Sequence, residues 1–308
     1  MYKQSARRLQ SLPREEIRAF INSFDTVLTD CDGVIWLFNE AIQGAPEVIN
    51  KFIEMGKKVF FVTNNSTKTR DEFLVKAKTL NFNMTRDGII STSYLAAQYL
   101  KHQQFSKTVF VVGSQGVVQE LNAAGIKNIG YGPDVLQNGL ASFVNDEMKR
   151  DPDVGAVVVG FDEHFSFPKL VRACSYADDP QCLFLATNTD ERLPLPHCVI
   201  PGTGSIVRCI ETAAERKAFV VGKPNPYICE ALIAEHGVNP ARTLMIGDRC
   251  NTDILLGANC GFQTLLVETG IHKEADVRAW LNSSDPEDRK LVPDMIVTKL
   301  GDVLEYLQ

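Results

Sequence analysis

The chain lacks any apolar run near the ~20 residues of a membrane-spanning helix; runs such as Val59–Val62 and Ala156–Val159 stop far short of it. It also lacks an excess of basic residues. Lys+Arg 32 against Asp+Glu 38 gives a net charge of −6. That balance argues against a nucleic-acid partner, because a phosphate backbone needs a basic face, and against an anionic membrane surface. Cys-x-x-Cys is absent: the eight cysteines stand at 31, 174, 182, 198, 209, 229, 250 and 260. This spacing excludes a zinc ribbon or a thioredoxin-type site and predicts reduced, mostly buried thiols in the cytosol. His102, His164, His197, His236 and His272 form no ligand-spaced pair. Gly202-Thr203-Gly204-Ser205 fails the dinucleotide fingerprint because Val207 fills its last glycine site, and it reads instead as a chain break that starts a helix. No repeat and no low-complexity tract interrupts the chain.

What is present is alternation. At roughly 150 residues per domain, 308 residues suggest about two domains. Met1–Asp25 has no apolar h-region, and the spacing of Leu12, Ile17, Phe20 and Ile21 predicts a docked N-terminal helix rather than a targeting segment. Strands are expected at Phe24–Thr29, Lys58–Thr63, Ile89–Ser91, Ala218–Val221, Arg242–Ile246 and Gln263–Val267. Helices are expected at Ala45–Met55, Thr69–Leu80, Ser93–His102, Ser205–Arg216, Tyr227–His236 and Thr252–Asn259. Strands that are apolar throughout, with helices between them, indicate an α/β fold with a parallel sheet covered on both faces. A second βα series fills the middle: strands Thr108–Val112, Ala156–Gly160 and Leu183–Thr187, with helices Gly116–Ala124 and Phe167–Ala177. The expected division is therefore a core over 1–103 and 205–308, with an inserted α/β module over 104–204.

In open α/β sheets, ligands bind beyond the carboxyl ends of the strands. The polar residues at those ends are Asp30 and Asp32, Thr63 and Asn64, Lys223, and Asp248 with Asp253. Clustered carboxylates repel one another and make physical sense only around a hard cation. Oxygen donors favour Mg²⁺, which keeps several waters and binds beside phosphates. Lys223 and Thr63 then suit a phosphoryl group, one supplying charge and the other a hydrogen bond. Cys31 lies between two carboxylates, but strand alternation points it to the opposite face, and flanking negative charge raises a thiol pKa. It reads as a packed thiol.

Four segments in order resemble the motifs of haloacid-dehalogenase-type (HAD) phosphatases: Asp30-Cys31-Asp32-Gly33 after an apolar strand, Val62-Thr63-Asn64-Asn65, Gly222-Lys223-Pro224, and Gly247-Asp248 followed by Asp253. The inserted module resembles the large α/β cap of one branch, which includes phosphoglycolate, pyridoxal and 4-nitrophenyl phosphatases. The resemblance implies a Rossmann-like HAD core with an inserted cap, and a Mg²⁺-dependent phosphomonoester hydrolase. Asp30 is then the nucleophile that forms an aspartyl-phosphate, and Asp32 the acid that protonates the leaving alcohol and later activates water. Mg²⁺ is held by the Asp30 carboxylate, the Asp32 backbone carbonyl and the Asp248 carboxylate. Asp253 holds a metal-bound water or orients Lys223, and Thr63, Asn64, Asn65 and Lys223 bind the phosphoryl group. A homodimer formed through the cap is also implied. A catalytically inactive scaffold on the same fold should have lost one of Asp30, Asp32, Lys223 or Asp248, and none is lost.

Selectivity is expected from the cap, because the core motifs read only phosphate and metal. Asn188-Thr189-Asp190-Glu191-Arg192-Leu193-Pro194 corresponds to the branch's substrate loop. Its pattern looks like the phosphoglycolate phosphatases, whereas the pyridoxal phosphatases carry a His where Leu193 stands. Asn188 and Arg192 are the candidate substrate contacts, with Arg192 offering a planar fork to a carboxylate. The expected substrate is a small phosphorylated metabolite, 2-phosphoglycolate-like; pyridoxal 5′-phosphate or a broad range of the 4-nitrophenyl phosphate type is the alternative.

Overall fold

The computed structural model describes residues 6–193 and 198–307. Strand Thr26–Thr29 is buried at every position, its two threonines included, as a parallel strand covered on both faces must be. It lies at the heart of a seven-stranded sheet whose spatial order is Arg7–Arg8, Met295–Val297, Gln263–Val267, Thr243–Gly247, Thr26–Thr29, Lys58–Thr63 and Ile89–Ser91. The first six of these are mutually parallel. The core beside this sheet holds an aromatic trio packed edge to face. Trp36 sits 5.8 Å from Phe61 and 6.0 Å from Phe82, and those two rings are 5.5 Å apart. The N-terminal helix spans Arg14–Asn22 and buries Ile17 and Ile21, two of the four residues its spacing singled out; Phe20 is half-buried and Leu12 precedes the helix.

A second sheet of five parallel strands runs in the order Phe219–Val220, Leu183–Ala186, Val154–Val159, Thr108–Val112, Asn128–Ile129. Helices Phe167–Ala177 and Thr203–Ala213 supply Ala173, Tyr176, Ala177, Ile206, Val207 and Ile210 to its core. The helix at Thr203 begins beside Gly202, where the sequence places a chain break.

The chain divides into two compact units: residues 1–63, 71–90 and 223–308, and residues 64–70 and 91–222. Residues 64–70, 91–103 and 205–222, expected with the core, lie in the second unit. The physical reason is pairing: Phe219–Val220 bonds to Leu185–Ala186 in the five-stranded sheet. Lys223 therefore does not end a strand of the larger sheet, as the sequence suggested, but follows a strand of the smaller one. The edge strand Arg7–Arg8 and its neighbour Met295–Val297 were not expected at all; each is too short to show a period. No helix among the described residues is long and apolar enough to cross a membrane.

Candidate active site

Strand Thr26–Thr29 runs directly into Asp30, whose backbone N–H donates to the Ile246 carbonyl at 2.9 Å. Its neighbour Thr243–Gly247 runs into Asp248. The two carboxyl-terminal strand ends thus place two carboxylates side by side. Asp253, four residues past Arg249, returns in the following turn, where its Oδ2 accepts from the Arg249 N–H at 3.1 Å. Carboxylate oxygens of Asp30, Asp248 and Asp253 lie within 4.8 Å of one another. Into this group the buried Lys223 extends its ammonium, 2.6 Å from Asp30 Oδ1 and 2.7 Å from Asp253 Oδ1. The same Nζ donates to the Val62 carbonyl at 2.9 Å, on the strand that ends at Thr63.

Three carboxylates around one ammonium leave negative charge in excess. Burial, then the charges of Asp30 and Asp253, push the Asp248 pKa up to about 7. Burial pushes Asp253 up to about 6, with Lys223 working against it and Asp30 adding to it. For Lys223, burial opposes the charge, but Asp253 and Asp30 outweigh it and raise the pKa above that of an ordinary lysine. The donor set is oxygen only, and burial beside like charge raises the proton affinities of Asp248 and Asp253. Both features fit a small hard divalent cation.

Asp248 is seated by backbone. Its Oδ2 accepts from the Ile271 N–H at 2.8 Å, and its carbonyl accepts from the His272 N–H at 3.0 Å. A side chain at Gly33, where φ is +86°, would place Cβ 2.8 Å from Asp248 Oδ2, and one at Gly270 would place it 1.8 Å away. Both glycines are what lets the loop close on the carboxylate. Arg8, on the N-terminal strand, reaches Glu268 at 2.7 Å and Glu274 at 2.6 Å, on either side of this loop. Gly270 and Ile271 escaped the sequence reading, since a backbone donor carries no signature in residue type.

Asp32 follows the strand in the turn Cys31–Trp36. Its Oδ1 accepts from the Trp36 Nε1–H at 2.9 Å, with the Lys76 ammonium 4.0 Å away. Crowding by surrounding protein, then Asp30, raises its pKa, against Lys76 and the Trp36 bond. Cys31 is buried, and burial, then Asp30 and Asp32, hold its thiol well above the ordinary cysteine range. Thr63 is buried at its strand end.

The other candidates belong to the second unit. The Asn64 carbonyl accepts from Asn188 Nδ2 at 2.7 Å and from Thr92 Oγ1 at 2.9 Å, and Asn64 Nδ2 donates to Asp190 Oδ2 at 3.4 Å. Asn188 Oδ1 accepts from the Asp190 N–H at 3.0 Å. Asn188 is buried, so its amide braces the loop from within. Asn65 Oδ1 closes a turn by accepting from the N–H and hydroxyl of Thr67. Arg192 is exposed on a two-residue strand paired with Ile200–Pro201. The Leu193 side chain and Pro194 lie outside what is described.

Residues 27–127 match a family model described as haloacid dehalogenase-like hydrolase, and residues 220–303 match one described as HAD-hydrolase-like. The chain is 41% identical over 307 residues to the glycerol-3-phosphate phosphatase of Homo sapiens, covering 96% of this chain and 95% of that one. Among solved structures, the p-nitrophenyl phosphatase from Archaeoglobus fulgidus superimposes with a TM-score of 0.78 at 26% identity, covering 92% of this chain and 99% of that one. The glycerol phosphate phosphatase from Mycobacterium tuberculosis, solved in complex with magnesium, has a TM-score of 0.72 at 25% identity, covering 92% of this chain and 77% of that one.

Proposed function

Because the chain belongs to the haloacid dehalogenase-like hydrolases and is a phosphatase, we propose that it hydrolyses a two- or three-carbon phosphomonoester, such as 2-phosphoglycolate or glycerol 3-phosphate, through a phosphorylated Asp30. The observation that carries this reading is the cluster of Asp30, Asp248 and Asp253 around the Lys223 ammonium. Asp30 attacks phosphorus; a P–O bond forms to its carboxylate and the ester P–O bond breaks. Asp32 gives its proton to the departing ester oxygen, then takes one from the water that splits the acyl phosphate. Lys223, 2.6 Å from Asp30, offsets the charge that gathers beside it. Thr63, one strand over from Asp30, is assigned to the phosphoryl oxygens, together with Asn64 and Asn65.

Mg²⁺ is the proposed cofactor, held by Asp30, Asp248 and the Asp32 carbonyl, with Asp253 supporting Lys223 at 2.7 Å. When bound, it supplies positive charge to the phosphoryl oxygens. Support comes from the oxygen-only donor set and from the magnesium in the M. tuberculosis relative. The substrate assignment draws on the name of the human relative and on Arg192, whose fork suits a carboxylate. The test is hydrolysis of 2-phosphoglycolate, glycerol 3-phosphate, pyridoxal 5′-phosphate and 4-nitrophenyl phosphate with and without Mg²⁺. The expected result is Mg²⁺-dependent turnover with highest kcat/KM on one of the first two; a preference for pyridoxal 5′-phosphate overturns the substrate assignment.

Two further features of the reading concern setting. Eight free cysteines suit the reducing cytosol. The second unit's edge strand Asn128–Ile129, with Ile129 exposed on it and exposed Tyr131 and Val135 following, offers its outer backbone edge to a second copy of the same edge. A homodimer is therefore the proposed assembly, and sedimentation of the wild type against Ile129→Lys tests it.

A further inference from the structure

Asp32 differs from the other carboxylates of the site in how it is held. Its side chain is 53% exposed, so burial does not orient it. Among the described residues, both contacts of its carboxylate fall on one oxygen. The Trp36 indole N–H donates to Oδ1 at 2.9 Å, and the Lys76 ammonium stands 4.0 Å from the same atom. Lys76 Nζ also lies 4.2 Å from the centre of the Trp36 ring. The ammonium lies over the ring's face and the carboxylate takes the N–H at its edge.

The donor is fixed. Trp36 is fully buried and is wedged edge to face against Phe61 and Phe82. Its backbone closes the turn that carries Asp32: the Trp36 N–H donates to the Cys31 carbonyl at 3.2 Å, and the Trp36 carbonyl accepts from the Gly33 N–H at 2.8 Å. A protonated carboxyl has one O–H and one C=O. An oxygen that faces an N–H donor and an ammonium serves as the C=O, so the hydrogen sits on the other oxygen.

We infer that Trp36 and Lys76 are positioning residues for the acid step, holding Asp32 by Oδ1 so that its proton is presented from Oδ2. The inference rests on the assignment of Asp32 as the acid. In that step the Asp30 carboxylate forms a bond to phosphorus, the ester P–O bond breaks with its electron pair on the ester oxygen, and that oxygen takes the Oδ2 proton. Asp32 is left as a carboxylate whose Oδ1 keeps both partners, so the product of proton transfer is stabilised by contacts already in place.

The test compares leaving groups. An alkyl ester needs protonation as it departs, whereas 4-nitrophenolate leaves as a stable anion. Values of kcat/KM on glycerol 3-phosphate or 2-phosphoglycolate and on 4-nitrophenyl phosphate are measured for the wild type, Trp36→Phe, Lys76→Met, Lys76→Arg and Asp32→Asn. Trp36→Phe keeps a ring and removes only the donor. It and Lys76→Met should each lose about tenfold or more on the alkyl esters and less than about threefold on 4-nitrophenyl phosphate. Lys76→Arg, which keeps the cation and its stacking, should recover most of the loss. Equal losses on both substrates in Trp36→Phe and Lys76→Met, with Asp32→Asn still selective against the alkyl esters, would show the contacts to be merely structural and overturn the inference. Equal losses in Asp32→Asn itself would overturn the acid assignment beneath it. Should Trp36→Phe fail to fold, the two Lys76 variants decide the matter alone.

Discussion

Among the described residues two lysines are buried, one in each unit, and both are paired. Lys169, in helix Phe167–Ala177, meets Asp162 at 2.5 Å with both side chains at most 1% exposed, and Asp162 also accepts from the His164 N–H at 2.8 Å. There the account closes: one positive charge, one negative. Lys223 meets Asp30 and Asp253 with Asp248 close by, so one ammonium serves three carboxylates. Buried ion pairs by themselves say little about function, because desolvation cancels much of their attraction. What marks a site is the imbalance. The second unit's pair is complete and braces a fold; the first unit's cluster has more carboxylates than ammonium groups to pair them.

The comparison can be broken most forcefully at Asp30, the proposed nucleophile. Asp30→Asn should remove turnover by at least about a thousandfold, about 4 kcal/mol of barrier, while folding is preserved; near-normal kcat would end the covalent mechanism. At the closed pair the damage should fall on stability instead. Lys169→Met leaves Asp162 buried and unpaired, and should cost about 3–5 kcal/mol in urea unfolding. Adding Asp162→Leu should restore most of it, whereas an equal loss in the double variant would refute the closed-pair reading.

The imbalance itself is sharpened by metal. Excess chelator should abolish turnover and Mg²⁺ should restore it. At about a hundredfold over its Kd, Mg²⁺ should stabilise the wild type by about 2.7 kcal/mol, and Asp248→Asn hardly at all. Without metal, the raised carboxyls of Asp248 and Asp253 keep protons that the unfolded chain releases. Their contribution is present below the ordinary carboxyl pKa, near 3.8, and is lost as pH rises through about 6 and 7. Melting of the metal-free protein between pH 4 and 8 measures this, and Mg²⁺ should flatten the slope. The smallest effect belongs to the exposed Arg192. Arg192→Ala should lower kcat/KM for 2-phosphoglycolate by about tenfold and leave 4-nitrophenyl phosphate nearly unchanged; an unchanged ratio moves selectivity elsewhere.

Asp30, Asp248 and Lys223 can be picked out in the chain because each follows a short apolar run and stands beside glycine or a second polar residue. Their convergence on one point is a property of the sheet, and parallel topology supplies it. Phe219–Val220 shows where local pattern stops. Its residues mark a strand, but nothing in two residues says which of two sheets receives it. The same holds for the unit boundaries, which depend on pairing partners rather than on composition. Trp36 and Lys76 went unread for a different reason: 40 residues separate them, and a tryptophan in a core reads as packing. Gly270 was silent because its contribution is the space it leaves.

The strand bearing Asp30 pairs on one side with Lys58–Thr63 and on the other with Thr243–Gly247, and Arg7–Arg8 pairs with Met295–Ile296. In the order of synthesis, the first strands of the larger sheet wait for the last. Asp30 emerges early and its partners Lys223, Asp248 and Asp253 emerge some two hundred residues later, after the stretch that builds most of the five-stranded sheet. Contacts so distant along the chain are slow to form, and incomplete sheets expose unpaired edges. A ribosome-bound chain stopped anywhere before Thr243 therefore holds Asp30 with no sheet neighbour on one side and with neither Asp248 nor Asp253 beside it, and the carboxylate cluster is complete only once the strand Thr243–Gly247 and the turn after it have arrived.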